Sequence, residues 1–140
     1  MTPGTTTAAS EAWGALLEVF FTLGRPKIMS AGQELMLSPP QGIVLRLLDQ
    51  PRPMGELAAM MRCDNSNMTG IVDRMEERGL VRRAPAEGDR RVKLIELTEE
   101  GARTREEMAR RIAEPPEPIA GLSAADQKTL HDILRRALDR

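Results

Sequence analysis

The segment 64–79 restricts the possible folds of this chain more than any other segment. Its apolar residues recur at i, i+3, i+4 and i+7, the spacing of one buried helical face: Met68, Ile71, Val72 and Met75. Asp64 stands before them as a capping residue, and Gly79 stands after them as the residue type that ends helices in the left-handed conformation. The pattern predicts an amphipathic helix over about 65–78 that is buried on one face only.

A shorter helix is predicted just before this one. Residues 55–61 place three apolar side chains on one face and leave room for a turn before Asp64: Leu57, Ala58 and Met61. Upstream, Ser38 with Pro39 begins another helix, whose expected buried face is Ile43, Val44, Leu47 and Leu48. Two helices joined by a short turn, the second starting with small polar residues, form a helix-turn-helix pattern.

A β-hairpin is predicted directly after Gly79. Residues 80–84 and 92–97 have strand character, and the residues Pro85-Ala86-Glu87-Gly88 between them favour a turn. A hairpin after a helix-turn-helix is the wing of a winged helix. The net charge of −1 argues against a nucleic-acid partner when taken alone, but basic residues concentrate between Arg82 and Lys93.

Amphipathic helices are expected at both ends of the chain. The first begins near Ser10, after a tail that we expect to be frayed, and Gly24-Arg25-Pro26 should kink or break it before a second stretch over 26–36. Thr98-Glu99-Glu100 starts a helix that runs to about Ala113, and the proline-rich stretch 114–118 ends it. Ser123 caps the last helix, whose stripe is Leu130, Ile133, Leu134 and Leu138. The prediction is therefore a mainly α fold with a small β-hairpin.

Composition narrows the function classes. At 140 residues the chain fits a single domain, 1–140, and with 2% aromatic residues its core must be aliphatic and methionine-rich. One cysteine and one histidine exclude an internal disulfide and argue against a zinc or copper site, so we predict no metal and no cofactor. No nucleophile stands near a base and no glycine-rich phosphate loop is present, which argues against an enzyme.

The location of the protein is also predicted from composition. No apolar run approaches the roughly 18 residues of a membrane span. Residues 1–10 lack the apolar region of a secretory signal. We therefore expect a cytoplasmic protein with no membrane partner.

The outward face of the 65–78 helix carries the first set of candidate binding residues. It presents short hydrogen-bonding side chains, a glycine and one arginine: Asn65, Ser66, Asn67, Thr69, Gly70 and Arg74. Asparagine can pair with adenine and arginine with guanine in the major groove of DNA. Gly70 costs roughly 1 kcal/mol in a helix interior, which would be explained if a Cβ there collided with a base or a phosphate. The alternative is a solvated face with a chance glycine.

The tip of the hairpin carries the second set. Extended arginines at such a tip can reach a narrow minor groove, where the potential is most negative. We assign Arg91 to the minor groove, Asp89 to orienting its guanidinium and Arg90 to phosphate. The alternative is an ordinary charged hairpin. Asp73 and Glu77 would repel phosphate, so they are expected to pair with Arg78 or Arg83.

From Ser38 to Gly101 the chain resembles the MarR (multiple antibiotic resistance regulator) family of winged-helix repressors. The resemblance rests on the order and spacing of four segments: 64–75, Arg78-Gly79-Leu80-Val81, Asp89-Arg90-Arg91 and Leu97-Thr98-Glu99-Glu100-Gly101. By position, Arg91 matches the family's wing arginine, Asp89 its orienting acid and Arg90 a variable basic position. The chain departs from the family at Gly24-Arg25-Pro26 and in the proline-rich stretch 114–118.

The resemblance also implies partners and a mechanism. It implies a homodimer on a palindromic double-stranded DNA operator, with 38–97 as the DNA-binding core and 10–37 and 98–140 as dimerisation helices. It implies repression that is relieved by a small aromatic ligand or by cysteine oxidation. Candidate ligand contacts are Phe20, Phe21, Met29, Met36 and Met60, and Cys63 is the only thiol. The competing hypothesis is a winged-helix module that binds protein, which would require apolar anchors on the reading face.

Overall fold

The computed structural model describes residues 7–139. Its elements follow in this order: α1 Thr7–Val19, a π-helical turn Phe20–Gly24, α2 Arg25–Glu34, α3 Pro39–Leu47, β1 Arg52–Pro53, α4 Met54–Met60, α5 Asn65–Glu77, β2 Val81–Ala86, β3 Asp89–Leu97, α6 Glu99–Ala113, α7 Glu117–Ala120 and α8 Ala124–Leu138. The predicted fold class, mainly α with a small β-hairpin, is confirmed. The short strand β1 was not predicted, and it extends the hairpin to a three-stranded antiparallel sheet of order β1-β3-β2.

The described residues divide into two compact units. One unit is Ile28–Arg111, and it contains the helix-turn-helix, the sheet and the hydrophobic core. The side chains that are fully buried there are aliphatic or methionine, as the composition requires: Val44, Leu45, Leu57, Met68, Val72, Met75, Val81 and Ile95. All four residues of the predicted α5 stripe are buried.

Helix α3 is rotated relative to the prediction. Ser38 Oγ accepts a hydrogen bond from the amide of Gln41 at 3.4 Å, and Gln41 Oε1 accepts one from the amide of Ser38 at 3.1 Å. This capping box places Gln41 on the buried face, which continues through Val44 and Leu45. Ile43 lies one residue off that face and is 47% exposed, so its predicted burial was wrong.

The chain passes through Gly24-Arg25-Pro26 without leaving the helical conformation. The helix widens into a π-helical turn, in which the amide of Arg25 donates to the carbonyl of Phe20. A π-helical turn absorbs the missing amide donor of a proline that would otherwise interrupt the α-helical ladder. Of the expected kink or break at Gly24-Arg25-Pro26, the break was wrong, because the residues stay helical through a π-helical turn.

The β-hairpin is longer than predicted. β2 continues through Pro85 to Ala86, and β3 begins at Asp89, so the connecting turn is only Glu87-Gly88. Gly88 has a φ of +82°, which glycine adopts without steric cost. The predicted four-residue turn was therefore too long by two residues.

The junction between the sheet and α6 explains the segment Thr98–Gly101. Thr98 Oγ1 donates to the carbonyl of Gly79 and accepts from the amide of Gly101 at 3.0 Å. A Cβ built on Gly101 would lie 1.8 Å from the carbonyl oxygen of Leu80. Only glycine allows α6 to start this close to the strand that leads into the wing.

The second unit contains the described residues up to Lys27 and from Ile112 onwards. Ser123 Oγ accepts from the amide of Asp126 and begins α8 as predicted. Helix α1 begins at Thr7, so residues 7–10 are helical rather than frayed, and the expectation for residues 1–6 lies outside the described residues. None of the helices in residues 7–139 is both long and apolar enough to cross a membrane.

The helices of this second unit bury no residue in the single chain. Neither α1 nor α8 has a buried side chain among its described residues. Trp13 is 60% exposed, Phe21 56% and Leu138 71%. A single copy of the chain therefore leaves two apolar helical stripes in contact with water.

Candidate nucleic-acid interface

The first turn of α5 is organised by Asp64. Its Oδ1 atom accepts from the amide of Asn67 at 2.7 Å and from the hydroxyl of Ser66 at 2.8 Å. The bond from the Asn67 amide, helped by the Ser66 hydroxyl, lowers the pKa of Asp64 below its ordinary value. The cap thus starts α5 where predicted and uses the proton of Ser66, which leaves that hydroxyl as an acceptor.

The outward face of α5 is open to solvent. Its exposed side chains are Asn65, Ser66, Asn67, Thr69 and Arg74. Thr69 Oγ1 donates to the carbonyl of Asn65 at 2.7 Å, so Thr69 presents a methyl group and an acceptor. Within the described residues, the side chains of Asn65, Asn67 and Arg74 have no hydrogen-bond partner. Their donors and acceptors are therefore available to a ligand.

Gly70 lies in the middle of this face. A Cβ at this position would meet only Arg74 Nη2, at 3.8 Å, which is an ordinary contact distance. The chain itself would therefore accept alanine here. The glycine has no explanation in the packing of the single chain.

Two of the three acidic residues of α5 form ion pairs with one arginine of the wing. Arg83 on β2 places Nη2 2.6 Å from Asp73 Oδ1 and Nη1 2.6 Å from Glu76 Oε1. These carboxylates, Asp73 first, raise the pKa of Arg83 above its ordinary value. The predicted pairing of Asp73 with Arg83 is confirmed, and Glu76 is an additional partner that was not predicted. Glu77 has no basic partner within residues 7–139, so its predicted pairing was wrong.

Arg78 does not take part in these ion pairs. Its guanidinium donates to the carbonyls of Met36 and Leu35, at 2.5 and 3.1 Å. These carbonyls belong to the loop between α2 and α3, which comes next to α5 only in the folded chain. The expected pairing of Arg78 with an acid of α5 was wrong, because main-chain acceptors distant in sequence take up its donors.

The wing arginines lie in a bulge of β3. The register pairs Pro85 with Lys93 but Ala86 with Asp89. Residues 90–92 therefore have no partner on β2. Pro85 lacks an amide proton and cannot continue the ladder, which accounts for the irregularity at this point. The bulge takes Arg90 and Arg91 out of the regular sheet, and both are exposed.

Asp89 contacts Arg91 in a different way from the one predicted. Its Oδ1 atom accepts from the main-chain amide of Arg91 at 3.0 Å. The residue order predicts a contact with the guanidinium of Arg91, whereas the contact in the structure is with the amide. Asp89 thus shapes the backbone of the bulge. The guanidinium groups of Arg90 and Arg91 have no acidic partner within residues 7–139.

Lys93 is a further candidate contact, which was not among the residues predicted from sequence. It is exposed, has no acidic partner in the described chain and pairs with Pro85 at the inner edge of the bulge. Its position in the basic run Arg90-Arg91-Val92-Lys93 could have identified it from the sequence. With Arg90 and Arg91 it forms a wing tip carrying three basic side chains.

Metal binding does not compete with this surface in the described part of the chain. Residues 7–139 hold no group of three or more His, Cys, Asp or Glu side chains that could bind a metal ion. The five side chains named as candidate ligand contacts are all exposed, from Met29 at 38% to Met36 at 81%.

Together these features define a class of protein. A helix-turn-helix (α4 and α5) that is followed by an antiparallel hairpin with a basic tip is a winged helix-turn-helix fold. The family model described as the MarR family matches residues 37–93 of this chain.

Solved structures agree with that match over nearly the whole chain. A transcriptional regulator of the MarR family from Rhodococcus sp. RHA1 is 30% identical, with coverage of 93% of this chain and 94% of that one and a TM-score of 0.63. A MarR family protein from Bacillus stearothermophilus is 25% identical, with 97% of each chain covered and a TM-score of 0.78. The chain belongs to the MarR family.

A curated relative is the HTH-type transcriptional repressor NicR of Pseudomonas putida. It is 35% identical over 92 residues, which are 64% of this chain and 57% of that protein. The match therefore spans little more than half the length of this relative.

Proposed function

We propose that the protein is a transcription regulator that binds a palindromic DNA operator as a homodimer. The observation that carries the proposal is the pairing of two surfaces on one compact unit. One is the outward face of α5, with three unpartnered polar side chains, and the other is a wing tip with three unpartnered basic side chains. Recognition helices of this class enter the major groove, and phosphate contacts position them there.

Each residue of α5 has a role that its chemistry allows. Asn65 and Asn67 offer free amides for base edges, and Arg74 offers a free guanidinium for guanine or phosphate. Ser66 and Thr69 act as acceptors because their protons are already donated. Gly70 lets the helix backbone approach the DNA closely. The outward face has no large apolar anchor, which disfavours the alternative of a protein-binding module.

The wing reads the adjacent minor groove. Arg91 inserts its side chain there, and Arg90 and Lys93 bind phosphates on either side. Asp89 positions Arg91 by accepting a hydrogen bond from its main-chain amide at 3.0 Å. Arg83 supports the same surface indirectly, since its positive charge offsets part of the negative charge of Asp73 and Glu76 near the phosphate backbone.

Dimerisation completes the site. Both terminal helices expose apolar stripes in one copy, and burying them against a second copy removes that surface from water. A two-fold dimer also creates the symmetry that a palindrome requires, with half-sites about one helical turn apart in roughly 16–20 base pairs. We therefore assign 10–37 and 98–140 to dimerisation within a single domain, 1–140. Sedimentation should show a dimer, and Trp13→Glu should shift the mass towards the monomer.

Regulation by a ligand is part of the proposal. Repression is favoured by the named repressor among the relatives. Phe20 and Phe21 form an exposed edge-to-face pair, with ring centroids 5.3 Å apart, that suits a small aromatic ligand. A thermal-shift screen of aromatic acids should raise the Tm, and Phe20→Ala should abolish the shift. The proposed compartment is the cytoplasm, where a regulator of this kind meets its operator.

The central experiment measures DNA affinity directly. A palindrome selected from a random duplex library, or the region upstream of the coding sequence, should bind with strong salt dependence in fluorescence anisotropy. Arg91→Ala should weaken binding broadly, and Asn67→Ala should also reduce sequence preference. Arg103→Ala is the matched control, because this exposed arginine is already paired with Glu99 and Glu100. If the wild type and all three variants fail to distinguish the palindrome from random duplex, the proposal is wrong.

A further inference from the structure

The turn between α4 and α5 contains an arginine in a conformation that favours glycine. Arg62 has a φ of +53°. Its amide donates to the carbonyl of Ala59 at 3.2 Å, and the amide of Cys63 donates to the carbonyl of Ala58 at 3.0 Å. This pair of bonds is the Schellman ending of an α-helix, and glycine is the usual residue at the left-handed position.

Two other positions with a positive φ are occupied by glycine. Gly79 at the end of α5 has a φ of +72°, and Gly88 in the hairpin turn has a φ of +82°. A side chain with a Cβ is strained in this region, because the Cβ lies close to the following carbonyl oxygen. Among the described residues, only Met36 shares the strain with Arg62, at a φ of +58°. Arginine thus occupies a position where glycine would relieve strain.

The charge of Arg62 is not used inside the chain. Its side chain is exposed and has no acidic partner within residues 7–139. The nearest acid in sequence, Asp64, directs its carboxylate to Ser66 and Asn67 instead. A guanidinium with five donors therefore stands free next to the first turn of the recognition helix.

We propose that Arg62 binds a DNA phosphate at the edge of the major groove. The inference rests on the proposed function and adds a contact that neither α5 nor the wing supplies. When the N-terminal turns of a recognition helix contact base edges, the turn before them lies beside the sugar-phosphate backbone. Arginine matches phosphate geometry with paired donors, and this contact carries no sequence information.

Three substitutions at one position separate charge from strain. Arg62→Gln removes the charge and keeps the strain, Arg62→Gly removes both, and Arg62→Lys keeps both. Gln and Gly should each lower operator affinity about 3- to 10-fold at physiological salt and reduce the slope of log K against log[salt] by about 1. The Arg62→Lys variant should keep the wild-type slope of log K against log[salt]. Affinity for random duplex should fall in the same proportion, because a phosphate contact does not discriminate sequence.

Relief of the backbone strain should raise the thermal stability, whereas loss of the charge should lower the DNA affinity. Arg62→Gly should raise the Tm by about 2–4 °C while it weakens DNA binding. Met36→Gly is the matched control for the Tm alone, since it relieves a similar backbone conformation without removing a charge, and it should raise the Tm in the same way. Arg103→Ala is the control for binding, because this arginine is already paired with Glu99 and Glu100, and it should leave affinity and salt slope unchanged.

The outcomes distinguish this inference from the function on which it rests. If the wild type binds the palindrome and the Gln and Gly variants match it in affinity and slope, Arg62 does not contact phosphate. If these variants lose preference among sequences rather than affinity overall, the assignment to phosphate is also overturned. If the wild type itself shows no specific binding, the proposed function fails, and this contact is overturned with it.

Discussion

The guanidinium of Arg83 on β2 lies 2.6 Å from the carboxylate of Asp73 on α5. It also reaches Glu76 at 2.6 Å, so one side chain of the wing holds two acids of the recognition helix. The wing and the helix are therefore joined by one guanidinium. Its single positive charge offsets one of the two carboxylate charges.

This relationship predicts an indirect effect on binding. Arg83→Gln should weaken operator binding about 5- to 30-fold, because Asp73 and Glu76 then repel phosphate without compensation. Anisotropy titrations at two salt concentrations would measure the loss. Adding Asp73→Asn and Glu76→Gln to the variant should restore most of the affinity. A triple variant as weak as Arg83→Gln would show instead that Arg83 contacts the DNA itself.

Gly70 should separate folding from binding. Gly70→Ala should stabilise the protein by up to about 1 kcal/mol, since alanine is the better helix former and its Cβ meets only an arginine tip at 3.8 Å. The same substitution should lower operator affinity at least about 10-fold if the helix backbone approaches a base or phosphate at this position. Denaturant unfolding and anisotropy would be measured on the same preparation. An alanine variant that is more stable and binds normally would refute the close approach.

Gly101 should be intolerant of any side chain. A Cβ there would lie 1.8 Å from the carbonyl oxygen of Leu80, which is main chain and cannot move independently. Gly101→Ala should therefore cost about 3 kcal/mol or more in the free energy of unfolding. Gly14→Ala is the control, because Gly14 is also helical and a Cβ on it would have nothing within 4 Å. It should be neutral or stabilising when both are compared by thermal and urea unfolding.

Asp64 should make the stability of α5 depend on pH in the acid range. Its pKa is lowered in the folded protein by the bonds from the Asn67 amide and the Ser66 hydroxyl. The stabilisation is therefore fully present above the unfolded pKa of about 3.9 and is lost as the pH falls through the lower folded value.

The matching measurement compares two variants over pH. Asp64→Ala should lower the Tm by about 2–8 °C at pH 7, and its difference from the wild type should shrink below pH 4. Asp64→Asn keeps an acceptor without a titrating charge, so its Tm difference from Asp64→Ala should stay constant. A gap between wild type and Asp64→Ala that is equally wide at pH 7 and pH 3 would contradict the role of the ionised cap.

The recognition helix could be predicted almost completely from local sequence. Its cap at Asp64, its buried stripe and its end at Gly79 all lie within one segment, and each depends on neighbours a few residues away. Helix α3 shows where such reasoning fails. Two overlapping apolar stripes fit the same residues, and the inward turn of Gln41 in the capping box selected the one that excludes Ile43.

The wing shows the same division at the level of single contacts. Arg90, Arg91 and the turn glycine Gly88 could be recognised from residue type and order, because charge and positive φ are local properties. The bulge that carries the arginines could not, since it depends on Pro85 standing opposite Lys93 in the paired strands. The contact of Asp89 with the amide of Arg91 is local and spans two residues, but residue order alone pointed to the guanidinium of Arg91 instead.

Local periodicity, capping residues and turn glycines thus settle which segments become helices and strands, as each acts within a few residues of the chain. The main-chain partners of Arg78 and the contact between Leu80 and Gly101 join residues that are distant in sequence. Such contacts exist only once the core has set the elements against one another. Packing therefore decided which charged groups of the candidate interface are paired and which remain unpaired.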